Sequence, residues 1–267
     1  MNFRSFDPQK NMNKNAFHTK KYLLKTASVL ALLVLPIFSF SQNTKVAVAA
    51  NLQGVIKVLQ ADFEQKTKIK IEPIIGASGN LSNQIKNGAP FDVFLSADMN
   101  FPEQLSKSGY TSSKPVVYAL GSLIICSNQN LNLNNWEALL QSNSVQKIAL
   151  ANSETAPYGQ AAKEVLVRKN LLQKLQSKIV YGESISQINI YITTGVAQIG
   201  FTTEALITDV AGKQKLYWHK INQTDYQPIK QGVVILKHAK NNPYAQQFFK
   251  YMQSAAAKNI LKKNGYR

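Results

Sequence analysis

The chain has 267 residues, 45% hydrophobic and 17% charged, enough apolar material for a sizeable core, which excludes disordered and fibrous classes. Its 31 basic and 14 acidic residues give a formal net charge of +17. Six of the basic residues and one acid fall in the first 41 positions, so the remainder carries +12, spread along the chain and accompanied by no recognised nucleic-acid motif.

Residues 1–41 read as a targeting segment. A polar, basic stretch is followed by an apolar run from Ala27 to Phe40, with Ser39 and Ser41 as small residues suited to cleavage. The run is shorter than the ~20 residues of a membrane-spanning helix, so export followed by release is expected. The lone Cys126, in SLIICS, has no partner for an internal disulfide and is expected in the core.

From Thr44 the pattern becomes regular. KVAVAA predicts a short buried strand. In NLQGVIKVLQADFEQKTK, Leu52, Val55, Ile56, Leu59 and Phe63 line one face of a helix, with Asn51 at its N-cap. IKIEPII predicts a strand, GASG a loop, NLSNQIKNG a short helix closed by Gly88, and FDVFLSAD a further strand. A second series begins near Gly121: GSLIICS, NNWEALLQS, QKIALAN, APYGQAAKEVLVRKNLL, KIVYG, SISQINIYITTG and AQIGF. The tail adds the strand QGVVILK and helices from Pro243 to Lys263. Such alternation argues for parallel sheets with helices on their faces, arranged as two lobes joined by short crossings.

Four strand-to-helix junctions share a chemical character: AAN at 49–51, GASGN at 76–80, TAPYG at 155–159 and GESIS at 182–186. Each opens a helix whose first N–H groups are unpaired and partly positive, so each attracts anions. One such turn alone is ordinary capping. Four meeting in one cleft, at the carboxyl ends of strands, make a cage of donors. Asp92 and Asp98 flank a strand without a histidine cluster of metal-ligand spacing and are expected to be structural. His219, in KLYWHK, reads as a surface or hinge residue. The same reading sets Arg168 on a helix away from the turns, which disfavours a carboxylate ligand.

The string GASGNLSNQIKNGAPFDVFLSAD, together with VAANL, LGSLII, APYGQAAKEVL, TTGVAQIGF and PIKQGVVILK, resembles the periplasmic molybdate-binding proteins of molybdate ABC importers. The resemblance implies an α/β, two-lobed type II periplasmic-binding-protein fold with a hinge, closing on a tetrahedral oxyanion held by neutral donors. It divides the chain into the signal peptide at 1–41, lobe 1 at 44–119 and 227–267, and lobe 2 at 121–218, with crossings near 120 and 219–226. It implies ligand contacts from the side-chain amide and backbone N–H of Asn51, the Ser78 hydroxyl, and the backbone N–H groups of Tyr158 and Ile185, the last two tolerant of substitution. Thr203 stands nearest a position where some members supply a tyrosine hydroxyl, and is a shorter candidate for a fifth contact.

The function so implied is capture of molybdate, with tungstate as a second ligand, and delivery to a membrane permease by a periplasmic monomer that needs no cofactor and binds no nucleic acid. The competing readings are a receptor for another tetrahedral oxyanion such as sulfate, and a secreted α/β hydrolase. The hydrolase reading needs a nucleophile paired with a base; Ser78 has no evident partner, and GASG is not a nucleophile elbow.

Overall fold

The computed structural model describes residues 43–267; the targeting segment assigned to 1–41 lies outside the described residues. Two five-stranded sheets organise the chain. The first contains β1 (Thr44–Ala49), β2 (Ile71–Gly76), β3 (Val93–Ser96), β4 (Val116–Leu120) and β10 (Lys230–Ile235), in the order β2-β1-β3-β10-β4. The second contains β5 (Leu123–Ser127), β6 (Ile148–Ala151), β7 (Ile179–Gly182), β8 (Ile199–Thr203) and β9 (Tyr217–Lys220), in the order β7-β6-β8-β5-β9. The order is equivalent in both lobes.

Neither sheet is wholly parallel, contrary to the expectation from strand–helix alternation. β1 pairs in parallel with β2 and β3, but β10 runs antiparallel to both β3 and β4. In the second sheet β6 is parallel to β7 and β8, while β5 is antiparallel to β8 and β9. The reversed strand of each sheet is the one that arrives from the other lobe: β5 follows β4, and β10 follows β9. A chain entering a sheet from the hinge side runs against strands that end there. β4 and β9 were not among the predicted strands. His219 and Lys220, expected in a crossing, belong to β9, where His219 is paired with Ile125 and its ring Nδ1 lies 3.2 Å from Asn134 Oδ1.

The helices cover the sheet faces as the apolar stripes require. Leu52, Val55, Ile56, Leu59 and Phe63 are all buried. The last four lie on α1 (Val55–Thr67), which packs with α8 (Pro243–Met252) and α9 (Ala255–Lys263) against Val46, Val48, Val93 and Leu95. The alternate residues Ala47 and Phe94 face α2 (Ser78–Lys86) and α3 (Asn100–Lys107) across the sheet, the period-2 division of a strand buried on both faces. Gly88, with φ of +87°, closes α2 in the left-handed conformation that favours glycine.

Lobe 2 packs α4 (Trp136–Gln141), α5 (Pro157–Arg168), α6 (Ile185–Thr193) and the short α7 (Ala205–Asp209) around its sheet in one core that includes Cys126. Burial pushes the Cys126 thiol up to about 12, so it stays protonated and inert. Among the described residues no helix is long and apolar enough to cross a membrane. Asp92 accepts from Lys45 N and Asn242 Nδ2, and Asp98 from Ser96 Oγ and Phe101 N, so both carboxylates tie elements together.

The crossings are bound to one another. Gly121 N donates to Ile229 O, and Leu120 exchanges backbone bonds with Arg267. Gly121 is required by close approach: a Cβ there would lie 2.2 Å from Tyr158 Oη.

Candidate functional site

Each of the four junctions ends a strand and begins a helical turn, and the local sequence explains how. At the first, a 3-10 turn, Ala50–Leu52, precedes α1, so Asn51 lies within that turn and is not the N-cap of the long helix. At the second, Ala77 is extended and Ser78 is the first residue of α2. At the third, Pro157 takes the first position of α5, where its missing N–H costs nothing, and Tyr158 follows. At the fourth, Ser184 caps α6 by accepting from Gln187 N, and Ile185 is the first helical residue. The N–H groups of Asn51, Ser78, Tyr158 and Ile185 thus all occupy opening positions that have no intrahelical acceptor.

Direct bonds join the four starts in two pairs across the lobes. Gly79 N donates to Thr155 O at 2.9 Å, setting the start of α2 against the start of α5. Ser186 Oγ donates to Ala50 O at 3.3 Å and also bonds Gln53 Oε1, setting the start of α6 against the 3-10 turn. Two glycines permit this approach. An added Cβ at Gly79 would lie 2.8 Å from the Thr155 backbone, and one at Gly54 would fall within 2.2 Å of the Asp209 carboxylate. Burial holds the Asp209 carboxyl above the usual range, against the opposing pull of Lys213 and Lys57.

Beneath the junctions lies a buried polar cluster without charges. Asn51, Ser78, Thr203 and Gln231 are each 3% exposed or less. Ser78 Oγ accepts from Ala97 N at 3.0 Å, which leaves its own hydrogen to donate. Asn51 Nδ2 donates to Gln231 Oε1 at 2.8 Å and to Tyr266 Oη at 3.0 Å, and Tyr266 Oη donates to Asn51 O at 2.7 Å. Both amide hydrogens of Asn51 are therefore committed, so only its backbone N–H remains of the two donors expected there. Asn51 Oδ1 is buried without a partner. Burial raises the Tyr118, Tyr158 and Tyr266 hydroxyls, which keeps all three neutral.

Thr203 is hydrogen-bonded within the protein. Its Oγ1 donates to Tyr158 Oη at 3.2 Å and accepts from Ala205 N at 3.3 Å, so it supports Tyr158 instead of offering a free hydrogen. A main-chain contact at position 158 does not make its side chain idle. The Tyr158 side chain is 1% exposed, reaches the crossing at Gly121 and is part of the lobe 2 core. Tyr158→Phe, which keeps the backbone N–H and strands one hydroxyl, should lower stability by roughly 1 kcal/mol. It should change ligand affinity by only a few-fold; denaturant unfolding and calorimetric titration measure the two. Ile185, also buried, is the first residue of α6.

The residues missed in the sequence are Gln231 and Tyr266, the partners of Asn51, from the far end of the chain. Among the described residues, none of the hydrogen bonds made by the side chains of Asn51, Ser78, Tyr158, Thr203 or Gln231 involves a charged group. Arg168 ends α5, about 16 Å along the helix from the site at 1.5 Å per residue. A nearby groove of about 440 Å³ between the lobes is lined by Asp98, Glu154 and Glu164, acids that repel an anion. What the junctions make is a buried set of neutral residues from both lobes.

Residues 44–267 match the family model described as bacterial extracellular solute-binding protein. The chain is 37% identical over 229 residues to the molybdate-binding protein ModA of Azotobacter vinelandii, covering 84% of this chain and 89% of that protein. It is 34% identical over 221 residues to ModA of Rhodobacter capsulatus, covering 82% and 86%. Among solved structures, the Azotobacter vinelandii periplasmic molybdate-binding protein superposes with a TM-score of 0.80 at 34% identity, over 84% of this chain and 99% of that one. With its paired five-stranded sheets, reversed strands and facing helix starts, the chain belongs to the bacterial extracellular solute-binding proteins.

Proposed function

We propose that the protein is an exported receptor that captures molybdate, with tungstate as a second ligand, between its lobes and delivers it to the permease of an ABC importer. The observation that carries this reading is the meeting of four helical starts from two lobes, each with an unpaired N–H, in a buried setting free of cations. The relatives named for molybdate support the choice of ligand, and a family of binding proteins sets the hydrolase reading aside. The leader at 1–41 fits export to the periplasm, where the soluble receptor would act as a monomer.

A dianion in such a site is stabilised by charge-assisted hydrogen bonds, about twice as strong as neutral ones, without burial of a lysine. Neutral donors spread over opposed helix ends disperse the charge. Because the donors come from both lobes, the anion binds the closed state better than the open one and shifts the population toward it. An oxyanion that keeps a proton near neutral pH aims a donor at a donor and is disfavoured.

The test is a panel of molybdate, tungstate, sulfate and phosphate, read by calorimetry and by thermal unfolding. Molybdate at ~100 times its dissociation constant should stabilise the fold by about 2.7 kcal/mol. Phosphate should give no shift. A response to sulfate alone would reassign the ligand, and a response to none would remove the oxyanion reading.

A further inference from the structure

We infer that Gln231 is a positioning residue that ties the turn carrying Asn51 to the strand end at Ala97 and so holds the Asn51 N–H and the Ser78 hydroxyl in place at the lobe 1 half of the anion site, although it contributes no contact of its own. The inference rests on the oxyanion reading and names what holds that reading's first two donors in place. A continuous chain of hydrogen bonds joins them: Asn51 Nδ2 to Gln231 Oε1 at 2.8 Å, Gln231 Nε2 to Ala97 O at 3.1 Å, and Ala97 N to Ser78 Oγ at 3.0 Å.

The chain has one allowed direction. Gln231 Nε2 is held by a carbonyl, Ala97 O, with Ile229 O a second and longer partner at 3.4 Å, so its oxygen must face Asn51. Asn51 must then turn Nδ2 inward. Its Oδ1 is left without a partner, so the orientation is imposed by Gln231 and Tyr266 and is not one that satisfies the Asn51 carboxamide itself. A flipped Asn51 would set oxygen against oxygen. At the other end, Ala97 N occupies the Ser78 lone pair and frees the Ser78 hydrogen for a ligand. Tyr266 adds a second hold on the turn by donating to Asn51 O.

Gln231 is fully buried and sits at a shift in register between β10 and β4, between Gln231 and Gly232. Bulges of this kind re-aim a side chain, and here the irregularity lies between the crossing and the site. A side chain needed only to fill space at this position would be apolar.

The experiment compares wild type, Gln231→Glu and Gln231→Met by calorimetric titration with molybdate from about pH 8 to about pH 6, alongside thermal unfolding of each ligand-free protein. A protonated glutamic acid reproduces both roles of the amide: its hydroxyl donates to Ala97 O and its carbonyl accepts from Asn51. An ionised one cannot donate, and burial raises its pKa above the usual carboxylate range. Gln231→Glu should bind roughly tenfold or more weakly at the upper pH and recover toward wild type as pH falls. Gln231→Met should be weakened at every pH, and wild type should be nearly flat. If the methionine variant does not fold, the recovery of the glutamate variant still decides. Gln231→Met binding as wild type does, or Gln231→Glu weakened with no recovery on acidification while its ligand-free thermal unfolding does change with pH, overturns the positioning role and leaves the functional reading intact. No oxyanion binding by wild type overturns the functional reading and this inference with it.

Discussion

Gly79→Ala is expected to leave the ligand-free protein as stable as wild type or more so, while weakening oxyanion binding by roughly tenfold or more. The two effects have opposite causes. Gly79 is the second residue of α2, and alanine in a helix is favoured over glycine by about 1 kcal/mol. The new methyl, however, would sit 2.8 Å from the Thr155 Cα of the other lobe and 3.1 Å from Phe101 Cζ. Backbone does not yield as a flexible side chain does. Overpacking of this kind costs about 1–3 kcal/mol, and because the main clash exists only when the lobes meet, that cost falls on closure and hence on affinity. Thermal unfolding without ligand and titration with molybdate separate the two. A substitution that destabilised the free protein and left affinity unchanged would place Gly79 in the core of lobe 1 and not at a closing surface.

Ser78→Ala should have the larger effect on binding. It removes the one side-chain hydroxyl assigned to the anion, a charge-assisted bond worth about 1.5–3 kcal/mol, or roughly 10- to 150-fold in dissociation constant. It also strands Ala97 N, which now donates to Ser78 Oγ, so the free protein should lose about 1 kcal/mol as well. The binding loss should exceed the stability loss when titration is set beside denaturant unfolding. Equal affinity for wild type and variant would remove Ser78 from the site.

The features legible in the sequence are the local ones. The apolar stripe from Val55 to Phe63 marks α1 because 3.6-residue periodicity needs no tertiary information, and Gly88 marks the end of α2 because its backbone requires a left-handed residue. The junctions at Ser78, Tyr158 and Ile185 are visible as small or capping residues before helices. Strand direction within a sheet is not visible. Nothing in QGVVILK or SLIICS distinguishes a strand entering from the opposite lobe from one following a helix, so the antiparallel pairings of β10 and β5 were hidden.

The same limit applies to the buried network. Asn51 resembles any helix-capping asparagine, yet its carboxamide is bound by Gln231 and Tyr266, 180 and 215 positions away. Thr203 and Tyr158, 45 positions apart, meet only because β8 and α5 pack together. The Thr203 hydroxyl is thus bonded to Tyr158, and the Tyr158 side chain is packed in the lobe 2 core. The backbone donors were inferred from position alone, whereas the side chains around them depended on the fold.

The most direct measurement is the anomalous scattering map of crystals grown with molybdate. One molybdenum peak is expected among the starts of the 3-10 turn, α2, α5 and α6. Its oxygens should lie about 2.7–3.1 Å from Asn51 N, Ser78 Oγ, Tyr158 N and Ile185 N, with no lysine or arginine nitrogen in contact. A peak elsewhere on the protein, or one held by a cationic side chain, would contradict a site built from neutral donors of two closing lobes.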